Sequence, residues 1–68
     1  MAKAQLVRRA LEKAGWRLVS IESSHRKYTK KGKIEMFAYH DSVDLGGPAV
    51  ARVAKRFGLT VEALRRLL

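Results

Sequence analysis

His25-Arg26-Lys27-Tyr28-Thr29-Lys30-Lys31-Gly32-Lys33-Ile34-Glu35-Met36-Phe37 reads as a β-hairpin, and the rest of the chain falls into place around it. Lys31-Gly32 makes the tight turn, because glycine reaches positive φ without steric cost. Before the turn, a strand from His25 to Lys30 alternates its side chains: His25, Lys27 and Thr29 share one face, Arg26, Tyr28 and Lys30 the other. After it, Ile34, Met36 and Ala38 alternate with Glu35, Phe37 and Tyr39 in a further strand. Tyr28 is the apolar anchor of its face, so His25 is expected to point to solvent.

Upstream, Trp16 to Glu22 is rich in aromatic and aliphatic strand formers and supplies another strand. The three strands form an antiparallel meander, a sheet that can pack helices on one face and leave the other wet. From Lys3 to Ala14, the apolar residues Leu6, Val7, Ala10, Leu11 and Ala14 recur at helical spacing. Gly15 ends that helix, and Trp16 directly after it is a core anchor. Arg8, Arg9 and Lys13 fall away from the stripe, as a solvated face or as phosphate contacts.

Downstream, His40 to Gly47 reads as the one long irregular segment. Pro48 suits the start of a helix whose stripe is Val50, Val53, Ala54 and Phe57, with Gly58 closing it. Thr60 is a good N-cap for a short last helix, and Leu59 and Leu64 have the spacing of a hydrophobic staple. The expected architecture is α+β: helix, three antiparallel strands, helix, with the helices on one face of the sheet, in a single domain over residues 1–68.

A chain of 68 residues buries about 60% of its unfolded surface, which leaves no room for a deep cofactor cleft. Fifteen Lys and Arg against six Asp and Glu give +9, a balance suited to a polyanion or an acidic protein partner. The absence of Cys excludes a disulfide framework, and two His without Cys are poor material for a metal site. No cofactor is expected. The apolar runs fall short of a membrane span, and the N-terminus has no signal-peptide pattern, so a cytoplasmic location is the default.

His25 and His40 remain as acid–base groups. RNA carries its own nucleophile, the 2′-hydroxyl. A base that takes its proton, beside cations that steady the phosphorane charge, suffices for cleavage without metal. Histidine suits that role because imidazole titrates near neutrality. Arg26, Lys27, Lys30, Lys31 and Lys33 crowd the hairpin and read as phosphate contacts without sequence readout.

Ser24-His25 downstream of a helix-ending Gly15-Trp16, with the aromatic Tyr28 three positions beyond the His, resembles the HicA family of toxin ribonucleases. The resemblance runs from Leu6 to Leu68. It implies a fold like the double-stranded-RNA-binding domain and an mRNA-cleaving toxin whose activity depends on the motif His, here His25. The family's motif is Gly-Ser-His, and Ser23 stands in the Gly position. Ser24 occupies the motif Ser, either bonding to hold His25 or serving as a plain turn residue. His40 sits where the family often carries a His after the third strand, and is the candidate general acid or an inert loop residue. The resemblance also implies a HicB-type antitoxin that covers the His25 face in a hetero-oligomer.

Two other readings compete. Val53 to Leu64 resembles a helix-turn-helix, with Gly58 at the turn and Arg65 and Arg66 placed to meet DNA. Against it, only four residues follow Leu64, and the basic hairpin would have no role. A non-catalytic double-stranded-RNA binder shares the element order and lacks only a catalytic His.

Overall fold

A computed structural model describes residues 2–68, in the order β1 (Ala2–Lys3), α1 (Ala4–Lys13), β2 (Arg17–Glu22), β3 (His25–Lys30), β4 (Lys33–Phe37), β5 (Asp44–Leu45), α2 (Gly47–Arg56) and α3 (Val61–Leu67). β2, β3 and β4 form the antiparallel meander, with Leu18 opposite Tyr28 and Tyr28 opposite Glu35. The α-β-β-β-α order and the α+β class are as the sequence predicts.

All three helices lie against one face. Tyr28 and Phe37 project from the sheet to meet Val7, Leu11, Leu45 and Leu64, all fully buried. Each such aliphatic or aromatic side chain contributes about 1.5–3 kcal/mol by leaving water. Trp16 closes one end of this core. Its ring stands edge-on to Phe57 at 4.8 Å, and its Nε1–H donates to the Phe57 carbonyl at 3.2 Å.

Helix ends are satisfied by local chemistry. At the end of α1, Gly15 N–H donates to Glu12 O and Trp16 N–H to Leu11 O, the paired bonds of a Schellman cap. This cap needs the left-handed φ of +101° at Gly15. The Lys30 side chain crosses just above, its Cε 3.3 Å from where a Cβ would stand. Thr60 caps α3 by accepting the Ala63 N–H at 3.0 Å. The N-cap of α1 is Lys3, which has no capping side chain. Here carbonyls of the distant loop act instead: Val43 O accepts from Ala4 N–H at 2.8 Å and Asp41 O from Gln5 N–H at 3.2 Å.

Four details differ from the sequence reading. Leu6 is largely exposed and Ala4 takes its place in the buried stripe, because the helix rotates to face the sheet through Ala4, Val7, Ala10 and Leu11. Regular pairing in the third strand ends at Phe37, where the chain leaves the sheet, before Tyr39. The segment from His40 to Gly47 is not wholly irregular, since Asp44–Leu45 pairs with Ala2–Lys3 in a two-stranded ladder. Arg8 lies on neither a solvated nor a free basic face: its guanidinium is half-buried on Asp41.

Candidate active site

The β2–β3 turn is only two residues long, so Glu22 and His25 are directly opposed. Ser23, the first turn residue, has φ of +60°, whereas Ser24 does not take positive φ. That pattern belongs to the type II′ hairpin, whose first position favours glycine. Serine there carries strain of roughly 1–2 kcal/mol. Ser23 thus holds a backbone position that favours glycine. Ser24 is half-buried in the same turn.

His25 opens β3 on the helix-free face and is exposed. It shares that face with Lys27, as the alternation predicts, while Tyr28 on the opposite face is fully buried. A shallow depression of about 310 Å³ is lined by Ser20, Glu22, His25, Lys27 and Met36. Opposed residues of an antiparallel pair stand with Cα atoms about 4.5–5.5 Å apart, which places the Glu22 carboxylate within reach of the imidazole. Glu22 lines this depression because the two-residue Ser23-Ser24 turn brings it opposite His25. Among the described residues, no ion pair includes Glu22, His25 or Lys27.

His40 is exposed and lies three residues past Phe37, the partner of Arg26, so it leaves the sheet at the end where His25 sits. Its loop is braced. Arg8 grips Asp41 with two hydrogen bonds, Nε to Oδ1 at 2.8 Å and Nη2 to Oδ2 at 3.0 Å. Arg26 approaches the same carboxylate at 3.5 Å. The Arg8 hydrogen bonds, with the Coulomb fields of Arg8 and Arg26 behind them, hold the Asp41 carboxyl below the usual carboxylate range. Glu12 continues the network, 3.7 Å from Arg8 and accepting the Tyr28 hydroxyl at 2.8 Å. Burial, then that bond to Glu12, pushes the Tyr28 phenol up to about 12.

The hairpin cations are not gathered in one place. Lys27 stands beside His25, and Arg26 is held on the opposite face by Asp41. Lys30, Lys31 and Lys33 lie at the far end of the hairpin, about 16 Å from His25 at the usual rise per strand residue. There Lys30 donates to the Ala14 carbonyl at 2.6 Å, so part of its role is to cap α1. Among the described residues, no three His, Asp or Glu side chains cluster in a way that could hold a metal ion. No described helix is long and apolar enough to cross a membrane.

In the C-terminal helix pair, Arg65 and Arg66 of α3 are exposed. α3 has seven residues, its central Leu64 is fully buried, and Lys13 of α1 donates to its Leu67 carbonyl. It closes the core.

No curated protein and no solved structure matches the chain. One protein family does, described as the HicA toxin of bacterial toxin–antitoxin systems, and it matches residues 5–59, from α1 through the turn after α2. That span contains Glu22, Ser24, His25, Lys27 and His40. With four fifths of its length so matched, the chain belongs to the HicA toxin family, as a toxin whose counterpart is an antitoxin.

Proposed function

We propose that the chain is a metal-independent endoribonuclease that cleaves mRNA, with His25 as general base. The observation that carries this reading is the placement of His25: an exposed imidazole at a strand end, beside Lys27 and opposite Glu22, on the face that no helix covers. The neutral ring takes the proton of a 2′-hydroxyl. That oxygen attacks the adjacent phosphorus, the bond to the 5′-oxygen breaks, and a 2′,3′-cyclic phosphate is left. Lys27 steadies the negative charge that builds on the phosphorane. Glu22 orients the imidazole, and His40, on its braced loop, supplies the proton to the departing 5′-oxygen. Lys30, Lys31 and Lys33 contribute phosphate contacts farther along the strand; Arg26 is committed to Asp41.

The antitoxin expected for this family is of the HicB type and covers the His25 face. Ile34 and Met36, 61% and 43% exposed on that same face, offer apolar contact for it.

Two measurements test the reaction. Cleavage of RNA should persist in excess EDTA and leave 2′,3′-cyclic phosphate ends. Activity that vanishes with chelator and returns with magnesium would rule out the 2′-hydroxyl mechanism.

A further inference from the structure

A cleft of about 520 Å³ lies not at His25 but on the helix side of the sheet, between the β3–β4 hairpin and the end of α2. Five cations surround it: Lys30, Lys31 and Lys33 from the hairpin, Lys55 and Arg56 from α2. Its single carboxylate, Glu35, is taken by Arg56 at 3.3 Å. The α2 cations have a structural reason to be there, since positive charge is favoured at a helix C-terminus. Lys30 caps the end of α1 through the Ala14 carbonyl, but no such reason explains Lys31 and Lys33 at the same space, where like charges repel. A second cavity, of about 390 Å³, adjoins the first: Lys30 and Lys31 line both, and Arg17 and Thr29 continue it around the turn. Arg17 is paired with Thr29, and Ser20 with Lys27, on the open face. Cations therefore follow one another from Lys27 beside His25, past Arg17, over Lys31 at the turn, and into the cleft at Lys33 and Lys55.

We propose that this track binds the backbone of a single RNA strand, holding the nucleotides that flank the cleaved bond around the hairpin tip and in the cleft beside α2. The assignment rests on the ribonuclease reading for its direction and adds to it a second binding region on the opposite side of the sheet. The ligand is a polyanion because cations line the track along its length and the one carboxylate in the cleft is already held by Arg56. It is single-stranded because the track turns from one face to the other of a body only 16 Å thick. A duplex cannot follow that turn; double-helical DNA stays straight over about 150 base pairs. An acidic segment of a partner protein is the rival occupant.

The test measures binding apart from cleavage, with a fully 2′-O-methylated single strand that has no nucleophile to offer. Combined Lys31→Ala and Lys55→Ala should weaken binding while leaving the melting temperature as in the wild type. The slope of log K against log salt should shrink by about 0.7 for each phosphate no longer neutralised, or about 1.4 for the pair. A blunt duplex of the same sequence should lose much less. Unchanged affinity and slope, in a protein that still cleaves RNA, overturn the track and leave the ribonuclease reading standing. So does an equal loss for strand and duplex, or a loss seen only with the antitoxin. Wild-type protein that binds the strand with the expected salt slope but never cleaves RNA overturns the ribonuclease reading and keeps the track. Wild-type protein that binds no RNA overturns both.

Discussion

On the helix-covered face of the sheet, Arg8 and Arg26 close on Asp41, Glu12 takes the Tyr28 hydroxyl, and the strong charges near the core have partners. On the open face, Glu22, His25 and Lys27 lie side by side with no ion pair among them. The same three strands therefore carry two kinds of polar residue. One kind is fixed by hydrogen bonds and brings distant segments together. The other is left without ion-pair partners on the face that no helix covers. β3 separates its two faces by parity: Tyr28 is fully buried against the helices, while His25, three positions earlier, is exposed on the open face, where the proposed chemistry would take place.

The contrast breaks most visibly at those two positions. His25→Ala should reduce RNA cleavage by about 10²–10⁴-fold, with a melting temperature indistinguishable from wild type by calorimetry. A variant that cleaves normally removes His25 from the mechanism, and one that unfolds places the ring in the core. Tyr28→Ala should do the reverse, costing roughly 3–5 kcal/mol in a denaturant titration. That is a large part of the whole stability of a domain this size.

The Arg8–Asp41 pair tests the helix-covered face through pH. Its folded carboxyl titrates below the ordinary value of 3.8, so the stability it adds is present above pH 4 and lost as the pH falls through the folded value. Wild type should therefore melt some degrees above Asp41→Asn at neutral pH, and the two curves should converge in acid. A constant gap down to pH 2 would mean that the carboxylate charge is not what matters. The smallest effect belongs to the turn that presents His25. Ser23→Gly relieves the positive φ and should stabilise by up to about 1 kcal/mol, seen as a rise in the melting temperature. A fall instead would show that the serine side chain holds the turn.

The strands are legible in the sequence because they repeat every second residue: the boundaries His25 and Lys30, and the burial of Tyr28 against the exposure of His25, follow from alternation alone. Gly15, Trp16 and Thr60 are legible because caps and turns are local. The Arg8–Asp41 bond is not, since it joins residues 33 apart in sequence, where nothing in composition or spacing pairs them. Nor is the β1–β5 ladder, whose two-residue strands are too short to show a period. The pairing of Glu22 with His25 follows from the expected strand ends, which leave only Ser23-Ser24 for the turn. The division of the hairpin lysines between two ends of the sheet requires the helices to be in place.

Between Leu18 and Ser20 the β2–β3 register shifts by one residue, so the outer margin of β2 is bent out of line. Such a break makes an edge a poor template for another strand. β4, the other margin, pairs without interruption along its length and has no similar irregularity. Edge-to-edge stacking between copies is thus possible along one side only and can proceed no further than a pair, instead of growing into a filament. The +9 charge opposes even that pairing at low ionic strength. Molar salt shortens the range of the repulsion to about 3 Å, and storage in dilute buffer is the gentler way to keep this protein dispersed.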